Sequence, residues 1–411
     1  MAKIKRLLSK ESPLRQYWML VSLALIVLGT FFFWQDLSIN LKNILFTLST
    51  VLKNILVFLL PFLVLPYIFN SLSDLKDQGA LLIVLILVGV AISTFAAIIY
   101  GYGVVKLITT YISIKPYAIN LDQDQIFSYI NLNLPSIPVE LMLAIGAIAG
   151  IIQSHKPNKK VQRFFVKYQY ASDFFFAKMF TPILPLYILG FLMKIAHDGD
   201  FGAIFHSFKN LFLCMIAAQI IYIFGYFLIG CTGFVNRALR AFKNSLPAFI
   251  TGFSSISSMV TLPVTLQVAY ENTKNFKIAD LTIPTTVNCH AVGDAIGLTI
   301  LSLSVYYFTN GSLPDFSTFV VFAGILTLAQ FGAVSVAGGS VIIIVPYLQK
   351  TFGFTPEMIG LITAISVFIE PWGTGCNILG NSGYVIIVER VNRFIKKFFK
   401  KHKKNLSKES L

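Results

Sequence analysis

Charge is scarce in this sequence: only 12% of its 411 residues are Asp, Glu, Lys or Arg, too little polar surface to cover a water-soluble globule. Acidic residues are the scarcer sign, 18 against 33 Lys and Arg. The four cysteines (Cys214, Cys231, Cys289, Cys376) are embedded in apolar segments without C-x-x-C or His/Cys spacing, so neither a disulfide framework nor a metal cluster is indicated. The phosphate-loop pattern G-x-x-x-x-G-K-[ST] is missing, which leaves ATP-driven pumping without support. G-x-S-x-G and H-E-x-x-H are missing too, and no residue constellation argues for an enzyme.

What fills the chain is apolar sequence, 56% of it. Blocks of about 20 residues or more recur from end to end, each long enough to cross about 30 Å of hydrocarbon. The reading is an all-α polytopic membrane protein with the lipid bilayer as solvent. The formal charge of +15 sits in short loops and tails, a pattern the positive-inside rule explains better than nucleic-acid binding. The first apolar run, Tyr17 to Trp34, is too long for a signal-peptide core and reads as a retained helix.

Apolar runs predict helices near 17–36, 41–70, 79–112, 136–153, 165–196 and 203–232. Beyond Arg237 the pattern changes. The run Leu246 to Ala269 is interrupted by Ser254, Ser255, Ser257 and Ser258, and Ile278 to Phe308 by Asn288, His290, Gly293, Asp294 and Gly297. Phe316 to Tyr347 is interrupted by SVAGGS (Ser335 to Ser340), and Ile359 to Val388 by Glu370, Pro371, Gly373, Gly375, Asn377, Gly380 and Asn381. Two interrupted segments are each followed by a helix with a polar, Gly-rich break, roughly 35 residues on in both cases, an internal repeat. Backbone at membrane depth leaves the helix only where protein or a watery cavity satisfies it, so these interruptions are expected to converge on a site near the midplane.

Basic residues gather at the N-terminus, at His155 to Lys167, Arg237 to Lys243, Lys274 to Lys277 and in the tail from Arg390. All face one compartment if the first and third interrupted segments are re-entrant hairpins, which gives eight transmembrane helices and two re-entrant helical hairpins with both termini cytoplasmic. The stretch YQYASDFFFAKMF, with Asp173 and Lys178, reads as interfacial and amphipathic.

Ionisable groups inside membrane helices are costly, so Asp294, Glu370 and His290 each raise a functional hypothesis. Asp294 is either a direct ligand or a group lining a crevice or capping a half-helix. Glu370 either binds or satisfies backbone donors freed at Pro371. His290, beside Asn288, is either a hydrogen-bonded interior histidine or a titrating group where another transporter binds a cation. Asn377 and Asn381 lie four apart, and their amide oxygens suit a small hard cation such as sodium or satisfy exposed backbone. The serines of 254–258 offer hydroxyls and helix N-terminal amides to an anionic group, or serve plain helix packing.

The segment AFITGFSSISSMVTLPVTLQVAYEN, with TLPVT intact at Thr261 to Thr265, resembles the first hairpin of the dicarboxylate/amino acid:cation symporters, the glutamate-transporter relatives. IPTTVNCHAVGDAIG resembles their seventh helix with its N-M-D-G-T break. SVAGGS resembles the second hairpin's tip, and CNILGNSG the eighth helix. The resemblance covers Ala248 to Val388 with specific motifs, and the first half in helix count and PILPLYILGF.

It implies a homotrimeric elevator transporter of the bacterial-type inner membrane. The scaffold would be 1–77 (helices 1–2) and 113–200 (helices 4–5). The transport domain would be 78–112 (helix 3) and 201–395, comprising helix 6, hairpin 1 at about 246–269, helix 7, hairpin 2 at about 316–347 and helix 8. A basic cytoplasmic tail would follow at 396–411. The implied substrate-binding set is Ser255, Ser257, Ser258, Gly338, Asp294, Glu370, Thr374 and Asn377. The implied coupling set is Asn288, His290, Asn377 and Asn381, the last two as sodium ligands, with Na+ or H+ as coupling ion and no other cofactor.

The departures redirect the expectation. His290 and Val292 replace the asparagine and aspartate of N-M-D-G-T, and Asn381 replaces an aspartate of the eighth helix, so two sodium-binding carboxylates are missing. Gly373 stands where acidic-substrate members have an arginine, and Asp294 where they have a threonine. Losing a cation and gaining an anion points to a neutral or cationic amino acid with altered coupling. A sodium-coupled dicarboxylate or acidic amino acid symporter stays open, as does a degenerate transporter acting as a receptor or anion-conducting pore.

Overall fold

The computed structural model describes residues 25–26, 28–30, 32–73, 80–111, 126–130, 132, 134–135, 139–175, 179, 181–198, 201–287, 289–331 and 339–409. Among these the secondary structure is helical, with no strand. The elements are α1 (Ile39–Ser73), α2 (Ala80–Tyr111), α3 (Val139–His155), α4 (Lys159–Phe174), α5 (Thr181–Asp198) and α6 (Phe201–Gly230). They continue with α7 (Val235–Ser255), α8 (Ser258–Thr273), α9 (Phe276–Thr286), α10 (Val292–Asn310), α11 (Phe316–Gln330), α12 (Gly339–Phe352) and α13 (Pro356–Glu409). Among the described residues, three spans are long and apolar enough to cross a bilayer: Val84–Thr110, Asn210–Gly230 and Val292–Asn310.

The expected helix over 165–196 is covered by α4 and α5, with Phe175 and Met179 between them still helical and residues 176–178 and 180 outside the described residues. Asn158 starts the first of them by accepting from the Lys160 and Val161 amides, an N-cap that extends the amphipathic segment further toward the N-terminus than the aromatic run alone indicates.

α1 packs on α3, α4 and α5, and its polar residues are used inside the protein. Asn43 Oδ1 accepts from the Phe127 amide at 3.1 Å and Thr47 Oγ1 from the Tyr129 amide at 2.9 Å, while Asn54 Nδ2 donates to the Leu132 carbonyl at 2.9 Å. Polar side chains on α1 thus satisfy the backbone groups of Phe127, Tyr129 and Leu132.

α1 and α5 approach closely at Gly190, where an added Cβ would lie 2.2 Å from the Leu45 carbonyl oxygen and 2.3 Å from Ser49 Oγ. A backbone oxygen cannot rotate away, so Gly190→Ala must push the two helices apart. The expected cost is about 2–3 kcal/mol, read as a lower melting temperature of the detergent-solubilised protein.

The second group of helices surrounds α13. α2, α6, α7, α8, α9 and α10 pack against it or against each other, and their buried side chains form a large apolar core with a small satellite of Ala248, Val268 and Ile378 between α7, α8 and α13. Among the serines, α7 ends at Ser255, Ile256 takes the left-handed conformation (φ 49, ψ 32) and extended Ser257 caps α8 by accepting from the Val260 amide. Left-handed backbone at a β-branched residue is a genuine outlier, tolerated here because Ile256 is buried in the core. At the other end Asn272 donates to the Ala241 carbonyl and Ser245 Oγ, tying α8 back to α7. The serine-rich segment is therefore a helical hairpin. The second interruption falls at residues 287–291, between α9 and α10.

The last helix overturns an expectation. No break occurs at Glu370 to Asn381: α13 runs unbroken through Pro371. Its glycines serve close packing rather than unwinding. Added Cβ atoms at Gly375 and Gly380 would lie 2.6 Å from Phe249 Cε2 and 2.2 Å from Val292 Cγ1, as small residues do where membrane helices approach closely.

Candidate functional site

α10 begins with Ala291 in the N-cap position, a residue with no side chain to satisfy the helix's first amides. Asn377 on α13 replaces the missing cap, its Oδ1 accepting from the Asp294 amide at 3.1 Å. Gly293 makes this possible, because an added Cβ there would meet Cys376 Cβ at 2.6 Å, the Gly373 carbonyl at 2.9 Å and Asn377 Oδ1 at 3.0 Å. Asp294, in the first turn of α10, places its carboxylate near the positive end of the helix dipole.

That carboxylate also ties in α12. Ser340 Oγ donates to Asp294 Oδ2 at 2.6 Å. Asp294 Oδ1 occupies the space left by Gly373, where a Cβ would come within 2.6 Å of it. Between them lies a cavity of about 20 Å³, lined among others by Asp294, Ser340, Ser366, Glu370, Gly373 and Trp372. It is large enough for one water-sized group. Gln219 on α6 closes the wall: it donates to the Gly293 carbonyl at 2.7 Å and accepts from Trp372 Nε1 at 2.8 Å.

A second cluster lies one turn further along α13. His290 Nδ1 is 2.8 Å from Asn381 Oδ1, and its Nε2 is 2.8 Å from Ser93 Oγ on α2. With Nδ1–H donating to Asn381, Nε2 accepts from Ser93, whose oxygen in turn accepts from the Tyr226 hydroxyl. The imidazole stacks on Tyr226 at 5.9 Å and lies 4.7 Å from the Tyr384 ring, which anchors its hydroxyl on the Ile86 carbonyl at 2.8 Å. Both ring nitrogens of this buried histidine are used, so the neutral imidazole has its hydrogen bonds satisfied.

The structure thus brings Asp294, Glu370 and Asn377 together, and His290 with Asn381. Asn377 and Asn381 keep one face of α13, as their spacing requires, but each offers its oxygen to a neighbour, the Asp294 amide and the His290 ring. Thr374 is buried beside the hairpin, its carbonyl 3.5 Å from where a Cβ at Gly252 would stand. The serines are occupied locally: Ser254 bonds to the Ile250 carbonyl, Ser255 to the Ser257 carbonyl and Thr261 Oγ1, and Ser257 caps α8. Among the described residues no hydrogen bond joins Ser255, Ser257 or Ser258 to Asp294 or Asn377. Asn288 and Gly338, with the SVAGGS tip up to Gly338, lie outside the described residues.

Several participants escaped the sequence reading. Ser93 and Gln219 are single polar residues in apolar helices, a signal that was there to be used. Tyr226, Tyr384 and Trp372 carry none, since an aromatic in an apolar helix looks like core.

The sodium:dicarboxylate symporter family model matches residues 17–391 of this chain. The serine/threonine transporter SstT of Acinetobacter baumannii (strain AYE) is 26% identical over 188 residues, 45% of this chain and 46% of that protein. The same transporter from Acinetobacter baumannii (strain SDF) is 30% identical over 143 residues, 35% of each chain. The alignments thus span less than half the length of these relatives. The family match runs through both clusters and nearly the whole sequence: the chain belongs to the sodium:dicarboxylate symporter family, a family of membrane transporters.

Proposed function

We propose that this protein is an elevator-type symporter of a small neutral or cationic amino acid, coupled to fewer sodium ions than a multi-sodium relative. The observation that carries the reading is the pairing of Asp294 with Gly373. A carboxylate fills the space at the one position where the resemblance requires an arginine for acidic substrates, and a site lined by Asp294 and Glu370 repels a substrate side-chain carboxylate. The name of the matched relatives, serine/threonine transporter, agrees with a neutral substrate.

The reduced coupling rests on the second cluster. The resemblance implies carboxylates that hold sodium there, and His290, Asn381 and Ser93 satisfy one another instead. Substrate enters under the second hairpin, the transport domain with α2 and α6 to α13 moves against a trimeric scaffold of α1 and α3 to α5, and both termini face the cytoplasm. A proton-coupled reading is favoured by one observation, the hydrogen-bonded chain Tyr226–Ser93–His290–Asn381.

Uptake of radiolabelled serine, threonine, lysine and aspartate into proteoliposomes tests both. We expect serine or threonine uptake driven by a sodium gradient at fixed pH, with a sodium Hill coefficient near one by this reading and no competition from aspartate. Strong competition by aspartate alone would sink the substrate assignment, and uptake driven by a pH gradient without sodium would establish the proton reading.

A further inference from the structure

The two faces of α4 meet different surroundings. Phe165, Tyr168 and Gln169 turn toward α1: Phe165 stacks on Phe69, the Tyr168 hydroxyl donates to the Phe62 carbonyl at 2.8 Å, and Asn70 Nδ2 donates to the Phe165 carbonyl and to Gln169 Oε1. On a 3.6-residue period the opposite face carries Lys159, Arg163, Val166, Lys167 and Tyr170, all of them exposed. The three cations recur every four residues, a ridge about 12 Å long. Like charges four apart on a helix repel, and the chain itself does not offset them. The stretch Lys156 to Lys167 holds five basic residues and no acidic one. Among the described residues, none of the three ridge side chains makes an ion pair or a hydrogen bond.

The same ridge is one wall of a cavity of about 370 Å³ at the elbow between α3 and α4, completed by Gln153, Pro157, Gln162 and Val166. No Asp or Glu lines it, and its size is in the range of small-molecule sites. Buried Gln153 fixes the elbow: its amide donates to the Asn158 carbonyl at 3.0 Å and to Gln162 Oε1 at 3.1 Å, and its oxygen accepts from the Asn158 amide at 3.2 Å. The cavity's shape therefore does not depend on the cations. Asn158 Oδ1 already caps α4, so the side-chain cations, and not the helix amides, are what the cavity offers an anion.

Apolar surface borders this cavity. Phe164, Val166 and Tyr170 are exposed on α4, and Ile148, Ile151 and Ile152 toward the end of α3. In a chain of a membrane transporter family, such side chains meet hydrocarbon. A cationic cavity beside an apolar surface complements an amphiphile with an anionic head, whereas a soluble anion would use only the first feature. We propose that the α3–α4 elbow binds one anionic phospholipid, its phosphate held by Lys159, Arg163 and Lys167 and its acyl chains lying along the exposed isoleucines of α3. The proposal rests on the chain's place in a bilayer and not on its substrate or coupling ion.

The test needs no transport. Purified protein, delipidated in a neutral detergent, is titrated at constant ionic strength with phosphatidylglycerol, with phosphatidylcholine and with inorganic phosphate, while melting temperature and the lipid retained in native mass spectra are followed. The expected result is a saturable rise in melting temperature with phosphatidylglycerol and one lipid retained per chain. Phosphatidylcholine, whose phosphate is offset by its own cation, and inorganic phosphate should give neither. Lys159→Gln/Arg163→Gln/Lys167→Gln should bind phosphatidylglycerol about 100-fold more weakly, at roughly 5-fold for each cation removed. Without lipid it should melt at or above the wild-type temperature, because two repulsive pairs are gone. Arg237→Gln/Arg240→Gln/Lys243→Gln on α7 removes as much charge from outside the cavity and should bind as wild type. Should the α4 triple variant fail to fold, Arg163→Gln against Arg240→Gln decides, with about 5-fold weaker binding expected for the first alone. Equal losses in the two triple variants would mean diffuse attraction to the chain's positive charge and overturn the proposal. So would an equal response to phosphatidylcholine, or a saturable response to inorganic phosphate matching that to phosphatidylglycerol, which would assign the cavity to a free anion.

Discussion

Gly293→Ala should leave a protein that is made but does not transport. The added methyl would meet Cys376 Cβ, the Gly373 carbonyl and Asn377 Oδ1 at 2.6, 2.9 and 3.0 Å. The first two are fixed to the α13 backbone, so no rotamer change relieves them and α10 must move off α13. Overpacking of this kind costs about 1–3 kcal/mol. The displacement also stretches the Asn377–Asp294 and Gln219–Gly293 hydrogen bonds, each worth about 1 kcal/mol. The expected total is about 3–5 kcal/mol, with uptake down by about 100-fold because the Asp294 carboxylate is displaced with the helix end that carries it. Gly225→Ala is the control: a Cβ there meets nothing within 4 Å. It should melt at or above the wild-type temperature and transport normally, as a change that only raises helix propensity should. Melting curves and proteoliposome uptake of both variants decide the matter.

The contrast between these glycines shows where the sequence was readable. The serine-rich and Asn288-to-Asp294 interruptions were legible because polar residues cluster there with no apolar face to support them, and the helices do end at Ser255 and Thr286. The same rule failed on the last helix. Pro371, Gly373, Gly375 and Gly380 look like breakers in one dimension, but each glycine admits a partner from another helix: Asp294, Phe249 and Val292. A residue's use as a contact surface is a property of the pair, and half of the pair is absent from the local sequence. Site chemistry divides the same way. Asp294, His290, Asn377 and Asn381 were legible as polar groups out of place, whereas the bonds that define their roles come from Ser93 and Tyr226, 197 and 64 residues from His290, and from Ser340, 46 residues from Asp294. Such distances carry no periodicity.

His290 offers the sharpest separation of stability from coupling. His290→Ala removes a fully buried ring, opens a cavity beneath Tyr226 and Tyr384, orphans the Asn381 amide oxygen and leaves the Ser93 hydroxyl with Tyr226 alone. Cavity formation and unsatisfied polar groups together should cost about 3–5 kcal/mol, seen as a large fall in melting temperature and in the yield of folded protein. The double variant His290→Asn/Asn381→Asp tests the coupling instead. It keeps a hydrogen-bonding side chain at 290 and returns a carboxylate to 381, facing Ser93 across the space the ring gives up. A carboxylate there without a cation would be a buried uncompensated charge, so the double variant should be less stable than wild type in choline and regain stability as sodium is added. The same linkage raises the sodium order of uptake from about one toward two, because a second ion then binds the transporting state and not the ion-free one. If the sodium Hill coefficient is already two in the wild type and does not change in the double variant, the His290 cluster has not replaced an ion site.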